Sequence, residues 1–254
     1  MTQVLSTYLD DLTGPDQDAR TELLTRLDDI LRPAGALQRL DELAVFMAGW
    51  QASSVPQVDK PTILIFASDH GVAAAGVSAY PSSVTKAMMS AFESGLSTVN
   101  AFARISGATV NAVDVGIGRP TGDIRFESAM TEKRFMEALN CGREAVSASD
   151  SDLLVLGEMG IGNTTSSAAI SAALLGGEVS EWVGRGTGVN DEGLRRKRDA
   201  VQQAVERIDS AEPGEILRQL GGAEIVAIAG AIIEARHRRI PVVLDGFVVA
   251  AAAA

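Results

Sequence analysis

A carboxylate and a series of hydrogen-bond donors follow one of the most apolar segments of the chain. Residues 153–170 read LLVLGEMGIGNTTSSAAI, and Glu158 lies where the aliphatic run gives way to a glycine-containing turn. Backbone N–H groups at the start of a helix, together with hydroxyl groups, suit one phosphate monoester. Glu158 is itself an anion, so we expect it to face a different part of the ligand. The segment therefore predicts a phosphate-binding turn beside a carboxylate with a separate role.

Two familiar phosphate loops do not fit this turn. The run from Gly157 to Thr164 has the glycine spacing of a Walker A loop, but Asn163 stands in the place of its lysine. The dinucleotide fingerprint lacks its third glycine, because Thr165 occupies that place after Gly160 and Gly162. Two interpretations remain: a site for a single phosphate group, and a tight strand–helix turn whose small residues serve close packing.

A second glycine-rich loop lies one segment downstream and reads VGRGTGVNDEGLRRK over residues 183–197. Glycines such as Gly186 and Gly188 let a backbone approach a ligand closely. Asn190 has the character of a helix N-cap, which places Lys197 about two turns into the following helix. We expect the arginines beside Lys197 to lie on a solvated face, and Lys197 itself to face the ligand.

Four short aliphatic runs predict the strands of a parallel sheet that is covered by helices. They are TILIFASDHG (62–71), ATVNAVDVG (108–116), DLLVLGEMG (152–160) and IPVVLDG (240–246). Helical segments are predicted between them, most clearly at 81–95, from Asn190 onward and at 223–239. Strands that alternate with helices indicate the α/β class of fold.

Each of the four predicted strands ends in an acidic residue close to a glycine. These residues are Asp69, Asp114, Glu158 and Asp245. The carboxyl ends of parallel strands meet at one edge of a sheet, where ligands of open α/β sheets bind. Some of these carboxylates are expected only to cap the following helix. For Asp69 and Glu158 we favour a role in a polar ligand site, because glycine-containing turns follow both.

The first fifty residues predict two helices. Apolar residues recur there with a period near 3.6 over residues 23–31 and 37–47. The polar stretch Gln51–Pro61 is typical of a linker. We therefore predict that residues 1–55 form N-terminal helices and that residues 56–254 form a large α/β domain.

Composition narrows the classes of partner. The chain has 254 residues and a net charge of −11, which argues against nucleic acid or an anionic membrane surface as a ligand. Its one cysteine allows no disulfide framework, which fits a reducing cytoplasm. No signal-peptide pattern is evident, and the apolar runs are far shorter than the ~20 residues that span a bilayer. The two histidines predict no metal site: we expect His70 to hydrogen-bond in the polar site and His237 to lie at the surface.

The longer motifs resemble those of the nicotinate-nucleotide–dimethylbenzimidazole phosphoribosyltransferases, enzymes that prepare the lower ligand of cobalamin. The resemblance extends from about Leu37 to the last residue. It rests on DHGVAAAGVSAYPSSVT (69–85), LGEMGIGNTTSSAA (156–169), VGRGTGVNDEGLRRK (183–197), LGGAEIVAIAGAI (220–232) and VVLDGF (242–247). Several long motifs in the same order form a far more specific pattern than a single glycine loop.

The resemblance implies a Rossmann-like α/β domain with helices on both faces, a small helical domain built partly from the N-terminal helices, and a homodimer. It also implies transfer of ribose 5-phosphate from nicotinate mononucleotide to 5,6-dimethylbenzimidazole, with nicotinate and α-ribazole 5′-phosphate as products. Members of the family need no metal ion or other cofactor for this reaction.

The resemblance also assigns site residues by position in the motifs. Glu158 and Lys197 match active-site residues of the family. The phosphate and ribose are expected on Lys197 and the two glycine loops, namely Gly160, Gly162, Asn163, Thr164, Thr165, Gly186 and Gly188. The aromatic base is expected beside Asp69, Tyr80, Met88 and Met159. Because methionine side chains are adaptable, this wall predicts acceptance of benzimidazoles other than the dimethyl one.

One further expectation concerns the segment that follows the VVLDGF motif in the family. That segment contains an LGEGTG-like motif, whose glutamate is taken as the principal general base. The printed sequence ends at Ala254, before such a motif. A protein without this segment is expected to have little transferase activity and a partly uncovered apolar surface. The alternative function is then a non-catalytic nucleotide-binding module of the same fold.

Overall fold

The computed structural model describes residues 8–9, 12, 14–33 and 35–254. The predicted N-terminal helical region, 1–55, and the N-terminal stretch that bears on a signal peptide therefore lie partly outside the described residues. Among the residues that the structure does describe, no helix is both long and apolar enough to cross a bilayer.

The core of the fold is a four-stranded parallel sheet. Its strands are β1 (Pro61–Ser68), β2 (Thr109–Gly116), β3 (Leu153–Met159) and β4 (Val242–Leu244), and their order across the sheet is β2-β1-β3-β4. β2 and β3 coincide with the runs that predicted them to within a residue, whereas β1 ends three residues before its run does and β4 occupies only the middle of its run. Every pairing is parallel as predicted. The central strand β1 is the most deeply buried, whereas the edge strand β2 is only partly covered along its first six residues.

Eleven helices are described around this sheet. They are α1 (Gln17–Asp28), α2 (Gln38–Gln51), α3 (Ser83–Glu93), α4 (Thr98–Ser106), α5 (Glu132–Ser147), α6 (Asn163–Leu175), α7 (Val179–Trp182), α8 (Asp191–Glu206), α9 (Pro213–Leu220), α10 (Ala223–His237) and α11 (Gly246–Ala253). A short 3-10 helix, Gly71–Ala75, follows β1. The arrangement is an α/β, Rossmann-like fold.

The connections place helices on both faces of the sheet. The chain moves from β1 to β2 through α3 and α4, and then crosses back past β1 to β3 through α5. Because crossovers between parallel strands are right-handed, opposite directions of travel put α3 and α4 on one face and α5 on the other. Helix α10 packs against α5 and against β1, β2 and β3, so it shares the second face.

Glycines let α5 and α10 approach backbone to backbone. A Cβ atom added at Gly142 would lie 1.8 Å from the carbonyl oxygen of Ala227, and one at Gly230 would lie 2.1 Å from that of Leu139. No side chain fits in either space. This contact sets the depth at which α10, and therefore its first residues, sit beside the sheet.

The N-terminal helices differ in detail from their prediction. Helix α1 ends at Asp28, so Ile30 and Leu31 lie beyond it and are exposed, although the apolar period had included them. Asp16 is the N-cap at the start of this helix and accepts from the N–H of Ala19 at 2.9 Å. Trp50 of α2 lies under the guanidinium of Arg236, whose Cζ is 4.5 Å from the ring centroid.

An apolar cavity of about 410 Å³ separates these helices from the end of the chain. Phe46 and Trp50 of α2 form part of its wall, and side chains of α5, α6, α9, α10, β4 and α11 form most of the rest. Nothing in the structure tests whether residues 1–55 form a separate domain, which therefore stays a prediction.

Candidate active site at the carboxyl edge of the sheet

The topology creates a crevice between β1 and β3. From β1 the chain leaves toward β2 on one side, whereas β3 and β4 lie on the other, so the strand order reverses between β1 and β3. In open α/β sheets the ligand crevice forms at the carboxyl ends of the strands at such a point. Glu158 lies there, paired in register with Phe66, and a β-bulge at Ala67/Ser68 interrupts the pairing of β1 with β2 at the same level.

Glu158 is a partly buried carboxylate bound to the start of the next helix. Its Oε2 accepts from Nδ2 of Asn163, the first residue of α6. Burial raises the pKa of Glu158 to about 7, with a further contribution from the Glu224 carboxylate, while the hydrogen bond from Asn163 opposes the rise. A carboxyl group with such a pKa exchanges protons near neutral pH and is suited to general base catalysis.

Lys197 is a buried amine at the same helix start. It is 2% exposed, and its Nζ donates to Oγ1 of Thr164 at 2.8 Å. It forms no ion pair with any carboxylate of the described residues. Burial lowers its pKa to about 8. An unpaired buried cation beside a helix N-terminus favours an anionic ligand, because such a ligand supplies the missing negative charge.

The two predicted glycine loops meet at this lysine. Gly186 has a φ of +52°, and a Cβ atom there would lie 2.8 Å from Lys197 Nζ and 3.1 Å from Thr164 Oγ1. Gly162, with a φ of +100°, is the N-cap residue of α6 and lies close to Ala73 of the 3-10 helix. The structure thus brings Thr164, Gly186 and Lys197 together, and the turn that contains Gly160, Gly162 and Asn163 leads directly into Thr164.

The structure places two other predicted phosphate ligands differently. Thr165 is 0% exposed, and its Oγ1 is buried without a hydrogen-bond partner, so it lies beneath the surface that Thr164 presents. Gly188 is exposed in the second loop, with a φ of +100°. Its N–H donates to the carbonyl oxygen of Arg185 at 3.0 Å and closes the turn that carries Gly186.

The residues predicted to hold the aromatic base come from the ends of β1 and β3, from α3 and from the segment before α3. Asp69 follows β1; its Oδ2 accepts from the N–H of Gly118 at 2.8 Å, while its Oδ1 has no partner. Met159 is the last residue of β3, and Met88 is half-buried on α3, which packs against β1, β2 and β3. Tyr80 is 55% exposed.

Sequence reasoning missed one member of the site. Glu224, the second residue of α10, is completely buried, and its Oε1 lies 2.6 Å from Nε2 of His70. Ser68 donates to the other carboxylate oxygen, and Nδ1 of His70 lies 3.2 Å from Oγ of Ser166. The expected hydrogen bonding of His70 is therefore present. The LGGAEIVAIAGAI motif contains Glu224 as the only charge in an apolar run, which is the signal that could have identified it.

The other two strand-end carboxylates have separate roles. Asp114 accepts from the N–H groups of Gly116 and Ile117 at 2.9 and 2.8 Å, so it stabilises its own turn. Asp245 precedes α11 without a side-chain capping bond, and its charge raises the pKa of Glu158. No group of three potential metal ligands occurs within the described part of the chain.

A parallel α/β sheet with a buried lysine and a carboxylate at one helix N-terminus is suited to binding a phosphorylated ligand. A family model described as a phosphoribosyltransferase matches residues 12–254. The chain thus has the fold and motifs of a pentosyltransferase.

Comparisons with known proteins narrow the class. The nicotinate-nucleotide–dimethylbenzimidazole phosphoribosyltransferase of Ruegeria pomeroyi is 48% identical over 241 residues, which cover 95% of this chain and 71% of that relative. The enzyme of the same name from Mesorhizobium japonicum is 46% identical over 246 residues, covering 96% and 73%. The crystal structure of CobT from Thermus thermophilus superposes with a TM-score of 0.89 at 39% identity, covering 93% of this chain and 77% of that one.

The chain belongs to the nicotinate-nucleotide–dimethylbenzimidazole phosphoribosyltransferase family. This membership confirms the resemblance inferred from the motifs, and it does not favour the non-catalytic alternative.

Proposed function

We propose that the protein transfers ribose 5-phosphate from nicotinate mononucleotide to 5,6-dimethylbenzimidazole, giving α-ribazole 5′-phosphate and nicotinate. The observation that carries this proposal is the pairing of Lys197 with Thr164 and of Glu158 with Asn163 at consecutive positions of α6. One helix start thereby presents a phosphate-binding cation and a carboxylate to the two ends of one ribose phosphate. Family membership supports the choice of substrates.

The phosphate is proposed to lie on Lys197, Thr164 and the backbone of the two glycine loops. Nζ of Lys197 has one protein hydrogen bond and no carboxylate partner among the described residues. A bound phosphate dianion supplies that partner and favours the protonated amine. Gly160, Gly162, Gly186 and Gly188 provide backbone that can approach the ligand closely. Asn163 donates to Glu158 and fixes the orientation of that carboxylate.

Glu158 is proposed to face the anomeric carbon. Nicotinate leaves its ribose as a ring whose nitrogen takes the bonding electron pair and becomes neutral, so departure needs no acid. The sugar develops positive charge as this bond breaks, and a nearby carboxylate stabilises that charge. The attacking benzimidazole loses its N–H proton as its other nitrogen bonds to carbon, and a carboxylate with a pKa near neutrality can accept it.

The benzimidazole ring is proposed to bind against Tyr80, Met88 and Met159, with Asp69 at the edge of the pocket. Methionine side chains fit rings of different outline, so we propose that bases related to 5,6-dimethylbenzimidazole are accepted. Comparing transfer rates for benzimidazoles with different ring substituents tests this. Strict selectivity for the dimethyl compound would contradict it.

The experiment that tests the function is a chromatographic assay for α-ribazole phosphate. The unaltered protein is compared with Glu158→Gln and Lys197→Ala, and with Arg195→Ala as a matched control on the exposed face of α8. We expect kcat/KM to fall by about 10² or more in the first two variants and to be unchanged in the control. Binding of nicotinate mononucleotide without product formation would contradict the transfer reaction and support the alternative, a non-catalytic nucleotide-binding module.

We also propose that the protein acts as a homodimer in the cytoplasm. Phe102 and Ile105 are exposed on α4, which packs against the edge strand β2, and Leu96 just before α4 is exposed as well. Exposed apolar side chains of this kind favour burial against a second copy. A single cysteine fits a reducing compartment. Sedimentation equilibrium tests the dimer, and a monomer at micromolar concentration would contradict it.

A further inference from the structure

A buried group of four hydrogen-bonded side chains, Glu224, His70, Ser68 and Ser166, lies behind the candidate site. We call it the buried set; it has no direct part in the proposed reaction. Glu224 and His70 are 0% and 3% exposed, and Nε2 of the histidine is 2.6 Å from the carboxylate. Ser68 donates to the second carboxylate oxygen, and Ser166 lies 3.2 Å from the other ring nitrogen. Burying an ionisable pair is costly, and a well-packed apolar set is often as stable or more so. The cost is consistent with a functional role.

The buried set fills the space behind the turn that follows Glu158. A Cβ atom at Gly160 would lie 3.0 Å from both Glu224 Oε1 and His70 Nε2. One at Gly222 would lie 2.3 Å from His70 Cε1 and 2.4 Å from Glu224 Oε2. Neither glycine can be replaced without moving the pair. The position of the Gly160 turn, and hence of Glu158, therefore depends on Glu224 and His70.

The same pair also acts on Glu158 through its charge. Three titratable groups face Glu158: Glu224 of α10, Asp245 before α11 and His70 after β1. The two carboxylates raise the pKa of Glu158 and the imidazole lowers it, with Glu224 the strongest of the three. Arg134, at the start of α5, also interacts electrostatically with Glu224.

We propose that Glu224 and His70 are positioning residues of the transfer reaction: together they fill the space behind the Gly160 turn and so set the position and the electrostatic surroundings of Glu158. This inference rests on the proposed function for its kinetic consequence only. Glu224 touches no substrate: it acts through Glu158. Ser68 and Ser166 fix the pair by taking up its remaining hydrogen bonds.

The decisive variant is Glu224→Gln. Glutamine keeps a hydrogen-bonding group toward Ser68 and His70 but removes the charge. We expect the acid limb of the plot of kcat/KM against pH to move to lower pH in this variant, by about half a pH unit. At pH 6, kcat/KM as a fraction of the maximum for the same protein should then be about threefold higher in the variant than in the unaltered protein. The KM for nicotinate mononucleotide is expected to stay within about twofold of that of the unaltered protein, because the substitution does not touch the proposed phosphate contacts.

Glu234→Gln is the matched control. Glu234 lies on the same helix, is paired with Arg143, and is about 15 Å further along the helix axis. We expect its acid limb to coincide with that of the unaltered protein. An equal displacement in both variants would show a general effect of net charge and would overturn the proposal. An unmoved limb in a folded Glu224→Gln protein would overturn it as well.

Direct titration separates this inference from the proposed function. The side-chain carboxyl of Glu158 is followed by ¹³C NMR in protein labelled at glutamate, with Glu158→Gln used to assign the signal. We expect a midpoint near neutrality in the unaltered protein and a lower one in Glu224→Gln. This holds even if no α-ribazole phosphate is formed. An ordinary glutamate midpoint in the unaltered protein would overturn the inference even if Glu224→Gln failed to fold.

Discussion

Burial shifts the pKa values of both principal site residues toward neutral pH, so that each loses its reactive charge state within the physiological range. The pKa of Glu158 is raised to about 7, and the pKa of Lys197 is lowered to about 8, in each case chiefly because the charged form is poorly solvated. The proposed reaction needs Glu158 ionised and Lys197 protonated. Both conditions are met together only in a narrow interval.

The pH dependence of the transfer reaction follows from these two groups. We expect kcat/KM to be bell-shaped, rising as Glu158 ionises near pH 7 and falling as Lys197 deprotonates near pH 8. Bound phosphate favours the protonated lysine, so the alkaline limb of kcat is expected at higher pH than that of kcat/KM. Initial rates at saturating and limiting nicotinate mononucleotide measure both limbs. Coincident alkaline limbs would contradict contact between Lys197 and the phosphate.

Glu158 should also make the protein less stable as the pH rises. Its folded pKa of about 7 exceeds its ordinary value of 4.5, so between these values the folded protein binds more protons than the unfolded chain. The free energy of unfolding attributable to Glu158 therefore falls as the pH rises through this window. We expect Glu158→Gln to be more stable than the unaltered protein at pH 8 by about 1–3 kcal/mol, and equal to it near pH 4.5. Urea unfolding at several pH values tests this, and a constant difference would contradict it.

At the level of elements, the second glycine loop leaves the room that Lys197 needs. Gly186→Ala places a methyl group 2.8 Å from Lys197 Nζ at a φ of +52°, whereas Gly184→Ala meets nothing within 4 Å. We expect the KM for nicotinate mononucleotide to rise about tenfold in the first variant, because a cost near 1.4 kcal/mol falls on phosphate binding. The second variant should stay within about twofold. Equal effects would point to a general loosening of the loop.

The contact between α5 and α10 is a second property of elements. Gly142→Ala would drive a methyl carbon to 1.8 Å from the Ala227 carbonyl oxygen, and backbone cannot yield as a side-chain end can. We expect a loss of about 3 kcal/mol or more in the free energy of unfolding. Lys133→Ala, on the exposed face of the same helix, should change it by less than about 0.5 kcal/mol. Denaturant titration gives both values, and a neutral Gly142→Ala would refute the close packing.

Much of the architecture was predictable because strands and helices follow local patterns. Each apolar run became a strand, and Asn190 caps α8 as expected, accepting from the N–H of Gly193 at 2.9 Å. The helix end at Asp28 was not predictable from period alone, since Ile30 and Leu31 continue the apolar pattern yet remain exposed. Pro81 likewise lies two residues before α3, not at its first position.

The candidate site was predictable only where its residues follow one another in sequence. Glu158, Asn163 and Thr164 occupy one motif, and their contacts are local or nearly so. Glu224 meets His70 across 154 residues, and no spacing rule reveals a partner at that distance. Nor does sequence show that Asn163 binds Glu158 while Thr165 is buried, because both depend on how α6 is rotated. The two-domain division and the individual ligand roles remain predictions.

For the whole molecule, net charge opposes the proposed substrate. The chain carries a net charge of −11 and nicotinate mononucleotide is also an anion, so its binding depends on local groups such as Lys197. We expect kcat/KM for the mononucleotide to rise by about twofold between roughly 20 and 200 mM salt, because screening weakens the long-range repulsion. The KM for the uncharged benzimidazole serves as the control and should not change. A steep fall with salt would indicate a basic surface that attracts the substrate.

Ser68 and His70 are far from Glu224 in sequence, and this separation affects when the folding chain becomes able to bind substrate. β1 is synthesised early, but the contacts at its carboxyl end form only after β3 and then α10 have been synthesised. Contacts this remote are slow to form, because a large loop must close before they contribute. A nascent chain that has reached α6 already contains the phosphate turn, yet nothing supports that turn from behind. Substrate affinity is therefore acquired late in folding, when the last third of the chain docks.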